Sequence, residues 1–167
     1  MNRPAPIPPE FLERGKTARA FLSTLYPAQA TGLVEIRSKC ARGSIDQTWR
    51  DPWDLSTYRL ARYLQVHDAC DTWFGVALRR EKGSGAARNC AEAWSLHVDA
   101  DCKTPENAEA FRRKLKAFPH RPTLFIVTGS PFSYHLYWRL AEPVRFLSAG
   151  AVADVSTTSL YTRAVAG

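Results

Sequence analysis

The stretch AWSLHVDADCKTPENAEAFRRKLKAFPHRPTLFIVTGSPFSYHLYWRLAEPV, Ala93 to Val144, decides the fold. Over Ala93–Asp101 the residues alternate: Leu96, Val98 and Ala100 fall on one face of a strand, and Ser95, His97, Asp99 and Asp101 on the other. Thr104 is placed to cap a helix, and Pro105 suits its first position. Glu106 favours the positive end of the helix dipole, and Ala108, Phe111, Leu115 and Phe118 form an apolar stripe that stops at Pro119. Thr123–Thr128 (TLFIVT) reads as a continuous apolar strand and Gly129–Phe132 as a turn. Ser133–Leu140 (SYHLYWRL) alternates again, with Ser133, His135, Tyr137 and Arg139 on one face and Tyr134, Leu136, Trp138 and Leu140 on the other. The order is β-α-β-β. A crossover helix makes the first two strands parallel and the short turn makes the last pair a hairpin, so all three fit one sheet.

Upstream, apolar residues from Phe11 to Leu25 recur at helical spacing within Glu10–Tyr26, and Pro27 stops the run. Leu33–Lys39 alternates as a half-buried strand, and Cys40–Trp53 reads as loop. Asp54 or Ser56 can cap a helix to about His67, with Leu60, Tyr63 and Leu64 inward and Arg59 and Arg62 toward water. Thr72–Leu78 (TWFGVAL) reads as one buried strand. The loop RREKGSGAARN follows, carrying Arg79, Arg80, Lys82 and Arg88. Such a loop suits a phosphate chain, although it lacks the order of a P-loop and by itself reads more simply as a solvated hairpin loop. The pattern predicts an α/β chain of the α+β kind: a proline-rich leader over residues 1–9, an N-terminal α/β module, and the β-α-β-β sheet.

Of 167 residues, 45% are hydrophobic and 23% charged, a balance that excludes a disordered or fibrous chain. Lys and Arg number 23 against 16 acids, and the resulting +7 favours polyanionic partners such as nucleic acid or nucleotides. No apolar run approaches the roughly 18 residues of a membrane span, and the N-terminus is proline-rich where a signal peptide is apolar. A cytoplasmic protein with no membrane partner is expected. Cys40, Cys70, Cys90 and Cys102 are scattered, without C-x-x-C or a nearby His pair, which predicts reduced, partly buried thiols rather than a zinc site.

Asp99 and Asp101, two apart on a strand, share a face with Cα atoms about 6.5–7 Å apart. Taken alone, D-x-D reads most simply as two solvated acids. On a strand whose other face is apolar, the same pair presents hard oxygen ligands suited to Mg²⁺ or Mn²⁺, ions that activate an attacking hydroxyl and stabilise a departing phosphate oxygen. Ser133 and His135 reach one common ligand. A histidine donating to a phosphate oxygen beside a hydroxyl donor complements such a metal, while a half-buried structural histidine is the simpler alternative. His97 shares the face of the acids with its role open, and His67 and His120 read as structural or exposed. There is no G-x-S-x-G elbow for a serine hydrolase, and nothing orients Cys102 as a nucleophile.

The runs WFGVALRR (Trp73–Arg80), LHVDAD (Leu96–Asp101), VTGSPFSYHLYWRL (Val127–Leu140) and EPV (Glu142–Val144) together resemble the archaeo-eukaryotic primase superfamily. The resemblance is strongest to the RepB-like and primase–polymerase domains of plasmid and phage replication proteins. It follows element order from about Phe11 to Val144, and its specific part is the two motifs D-x-D and Ser-x-His. It implies an RRM-like catalytic sheet within a core over residues 10–144, and metal-dependent primer synthesis by a nucleotidyltransferase. By that resemblance Asp99 and Asp101 bind Mg²⁺ or Mn²⁺, and Ser133 and His135 contact the incoming nucleotide. Asp99, Asp101 and His135 are the catalytic set, and Arg79, Arg80 and Lys82 are expected along the path of triphosphate or template. Single-stranded DNA template, nucleoside triphosphates and a replicative helicase are the expected partners. Two departures stand out. The superfamily has a third metal-binding acid on a later strand, whereas Asp154 is the only acid after Val144, in a divergent or truncated tail over residues 145–167. Phe132 stands where a small turn residue is usual. A non-catalytic DNA-binding initiation module and a metal-dependent nuclease are the alternatives.

Overall fold

Pro9 at the first helical position opens α1 (Pro9–Leu25), and the extended backbone of Tyr26 closes it. The computed structural model describes residues 5–41 and 43–146. These form a mixed α+β chain with three α-helices and seven strands in two antiparallel sheets. The stretch read as one core over residues 10–144 divides into two compact units, one of the described residues up to Ala93 together with Val144–Phe146, the other Trp94–Pro143.

In the first unit β1 (Val34–Cys40) lies between β2 (Asp46–Arg50) and β3 (Cys70–Phe74), both antiparallel to it. The helix α2 (Thr57–Val66) starts where the Ser56 hydroxyl accepts the Arg59 N–H, the second of the two caps the sequence offers. It lies so close to α1 that a Cβ on Gly15 would stand 2.5 Å from the Thr57 carbonyl oxygen, which is why that helical position carries glycine. Leu22, Leu25, Val34, Ile36, Leu60 and Ala61 are buried, and the Phe21 ring meets Phe74 edge-on at 5.1 Å.

Three expectations are corrected here. The supposed loop Cys40–Trp53 contains β2, a short polar strand held by β1, followed by a 3-10 turn at Pro52–Asp54. The supposed buried strand Thr72–Leu78 is two strands, and most of β3 is exposed. At Gly75 the chain leaves β3, its N–H bonding the Glu35 carbonyl, and it re-forms as β4 (Ala77–Arg79). Two of the four cysteines are not reduced thiols: Cys40 faces Cys70 across β1 and β3, and the pair forms a disulfide, while Cys90 and Cys102 are free. Cysteines thirty residues apart carry no local sign of pairing; the strand register brings them together.

Strand β5 (Cys90–Asp101) starts in the first unit, where it pairs with β4, and continues into the second. There α3 (Pro105–Ala117) is capped by the Thr104 hydroxyl, which accepts the Asn107 N–H at 3.3 Å. β6 (Leu124–Val127) then pairs antiparallel with β7 (Ser133–Arg145), and the sheet order is β5-β7-β6. The two strands that flank the helix in sequence are therefore separated by the third. Ala100, Ala108, Tyr134 and Leu136 form the buried centre, with Val98, Phe111, Leu115 and Trp138 packed around them. β6 is an edge strand and only half buried: Phe125 and Val127 are exposed, so a continuous apolar run overstated its burial. Among the described residues no helix is long and apolar enough to cross a membrane.

Candidate functional site

Three side-chain pairs fix how β5 meets β7. Ser133 Oγ donates to Asp101 Oδ1 at 3.2 Å, His135 Nε2 lies 3.6 Å from Asp99 Oδ1, and the His97 ring stacks on Tyr137 with centroids 4.8 Å apart. Each pair has the same residue-number sum, 234, the signature of an antiparallel register. The residues are two apart on both strands, so all six side chains stand on one face. The apolar cluster against α3 is built from the intervening positions Ala100, Tyr134 and Leu136. Alternation thus separates a packed face from a chemical face.

The chemical face grades from open to closed. The Asp99 carboxylate is 63% exposed and that of Asp101 48%. His135 is half-buried, and Tyr137 is buried. Burial, and then the Asp99 charge, push the Tyr137 hydroxyl up to about 12, so it stays protonated and able to donate at neutral pH. His97 is held below the ordinary histidine value by burial and then by the neighbouring His135, whose ring meets it edge-on at 5.6 Å. Lys103 Nζ donates to Asp101 Oδ2, and this bond lowers the carboxyl and raises the ammonium.

Two non-glycine residues in left-handed backbone border the face, Lys103 (φ 60°) and Phe132 (φ 59°). Each such residue costs of order 1–3 kcal/mol and persists where surrounding contacts impose it. Here the Cys102 N–H bonds the Phe132 carbonyl at 3.2 Å, tying the two turns together beside Asp101 and Ser133. Phe132, singled out in sequence as large for a turn, is one of the two.

The donor set is two carboxylates, and among the described residues no group of three or more His, Cys, Asp or Glu is arranged to enclose a metal ion. Two exposed carboxylates on one strand face fit Mg²⁺ or Mn²⁺ of the kind that keeps waters and takes further ligands from substrate phosphates. Asp154 lies outside the described residues.

The structure does not bring all of the predicted basic residues to a surface. Arg79 is buried and committed to Glu35: its Nε and Nη2 lie 2.9 and 2.8 Å from Glu35 Oε2. Glu35 Oε1 accepts from Arg37 Nε at 2.7 Å and Gln47 Nε2 at 2.8 Å. Burial pushes the Glu35 carboxyl up, and the Arg37 hydrogen bond with the charges of Arg79 and Arg37 outweighs it, leaving the group below its usual range. Arg79 is a structural counter-ion in the first unit, and its predicted place on a triphosphate path is corrected. Arg80, Lys82 and Arg88 are exposed on the loop after β4; Arg80 donates to the Phe146 carbonyl. That loop is closed on itself by buried Asn89, whose Nδ2 donates to the Glu81 and Ser84 carbonyls.

Sequence reading missed the Glu35 centre, because V-E-I-R-S-K alternates as any half-exposed strand does. It missed Lys103 as well, two residues beyond Asp101. His67, read as structural or exposed, lies 3.2 Å from Asp46 and stacks on Tyr63. Compared with protein-family models, with curated proteins and with solved structures, the chain has no match.

Proposed function

We propose that the second unit carries the nucleotidyl-transfer site of a replication primase of the primase–polymerase type, its sheet the RRM-like catalytic sheet of that family. The observation that supports this most is the register that sets Asp99 against His135 and Asp101 against Ser133 on one open face. In this reading Asp99 and Asp101 hold Mg²⁺ or Mn²⁺, which when bound supplies charge neutralisation at the triphosphate and a more acidic primer hydroxyl. His135 and Ser133 donate to phosphate oxygens of the incoming nucleotide. The His97 ring, stacked on buried Tyr137, meets the His135 ring edge-on and helps to orient it. Arg80 and Lys82, on the first unit, meet single-stranded DNA template, and a replicative helicase is the proposed partner in plasmid or phage replication, in the cytoplasm.

Calorimetric titration of a nucleoside triphosphate in Mn²⁺ tests the site without requiring turnover. Binding by the wild-type chain that disappears in an Asp99→Asn/Asp101→Asn double variant is the expected result. Equal binding by both, or none by a folded wild-type chain, overturns the assignment.

One observation favours a second reading. Lys103 already neutralises Asp101, as it would in a non-catalytic DNA-binding initiation module. That reading predicts DNA binding indifferent to both aspartates and no Mn²⁺-dependent nucleotide binding.

A further inference from the structure

In the first unit a cleft of about 650 Å³ opens between α2 and the face of β1–β2 that carries Ile36, Thr48 and Arg50. Its apolar floor is Ile36, Leu55 and Leu60, and three guanidinium groups reach it from both walls: Arg50 from β2, Arg59 and Arg62 from α2. Asp54 is the one carboxylate of this lining among the described residues, and it is engaged by Arg59 at 3.5 Å. Within the chain Arg50 uses one nitrogen on the Trp49 carbonyl, Arg59 one on Asp54, and Arg62 two on Gln65, Ala5 and Tyr58, and each guanidinium has five N–H donors, so capacity remains on all three arginines. The Tyr58 ring is 55% exposed, with the Arg62 guanidinium 5.8 Å from its centroid. The 3-10 turn at one end adds a second pair of this kind, exposed Trp53 with Arg19 at 5.3 Å.

From these features we infer that the cleft binds single-stranded nucleic acid, with a base on the Tyr58 ring and the backbone phosphates against Arg50, Arg59 and Arg62. The exposed ring answers the π-face that every base has, and cations on both walls answer a chain of phosphates. An acidic peptide would use the arginines and leave the aromatic platform without a partner. The site lies wholly within the first unit and needs neither Asp99 nor Asp101, so it is independent of the nucleotidyl-transfer reading.

Fluorescence anisotropy of a labelled twelve-residue oligothymidylate, titrated with the full chain in EDTA and without nucleotide, tests it. Arg59→Gln/Arg62→Gln weakens binding at least tenfold at low salt and flattens the log K against log salt slope by about 1.4, two contacts at about 0.7 each on single strands. Tyr58→Ala weakens it about five- to a hundredfold and Tyr58→Phe restores it, which a merely structural role for the hydroxyl would not do. An abasic oligonucleotide of the same length binds at least fivefold more weakly. Undiminished binding by folded Tyr58→Ala or by the arginine variant overturns the assignment. So does equal binding of the abasic strand or equal displacement by polyglutamate, either of which makes the cleft a general anion surface. If the arginine variant does not fold by circular dichroism, the exposed Tyr58 substitutions and the abasic strand decide.

Discussion

Glu35 in the first unit and Asp99 in the second are both strand carboxylates with a basic side chain within 4 Å. Their surroundings differ in the quantity that decides what a carboxylate can do. The Glu35 side chain is 1% exposed and all its contacts are made within the chain, by Arg37, Gln47 and two nitrogens of Arg79. Nothing is left over for a ligand, and the charge stays ionised because four donors offset its desolvation. Asp99 stands in water with one imidazole 3.6 Å away, so most of its lone pairs are free to meet a cation or a donor from outside. A buried, saturated carboxylate specifies structure; an open one beside a histidine is available for chemistry.

The largest expected effect breaks the saturated centre. Glu35→Gln leaves the Arg79 guanidinium buried without a counter-charge and costs about 3–5 kcal/mol, a large share of an ordinary domain's stability, measurable by urea denaturation. The same centre sets a pH dependence. Because folding lowers the Glu35 pKa from 4.5, its contribution is complete above that value and is lost as pH falls below it toward the lower folded value. The acid limb of the wild-type stability curve is therefore steeper than that of Glu35→Gln; parallel limbs would show that other groups govern acid unfolding.

On the second unit's packed face, Leu136→Ala empties a fully buried site beside Ala108 and Tyr134 and costs about 2–5 kcal/mol. Thr104→Ala removes the cap of α3 and costs about 1 kcal/mol, read as a lower denaturation midpoint with unchanged slope. Asp99→Asn/Asp101→Asn, on the opposite face of the same strand, leaves the denaturation midpoint where it was while abolishing Mn²⁺-dependent nucleotide binding. A midpoint drop comparable to that of Leu136→Ala would place these aspartates with Glu35 as structural groups, and the contrast between the two units would collapse.

Period-two alternation carried the second unit almost completely. It separated Leu136 from His135 and Ala100 from Asp99, and the helix signals Thr104, Pro105 and Pro119 bounded α3 to within two residues. It also placed Tyr137 beside His135, although nothing in the sequence said that Tyr137 would be buried. The first unit was harder because its strands are short, polar or broken: β2 is DQTWR, and Gly75 divides a run that reads as continuous. The loop after β4 looked uniformly basic, and sequence could not tell which of adjacent Arg79 and Arg80 turns inward. A strand pointing one residue in and the next out made Arg79 a counter-ion and left Arg80 at the surface.

By itself the sequence determined the three helices, the two faces of β5 and β7, and the net charge, because these depend on spacing and composition within a few residues. Only the tertiary structure decided the partners: Cys40 with Cys70, Glu35 with Arg79, Asp99 with His135, and Tyr58 with the arginine-lined cleft. Each of the three pairs joins groups thirty or more residues apart. Strand register, which sets Cys40 against Cys70 and Asp99 against His135, is a property of two segments together and cannot be read from either alone.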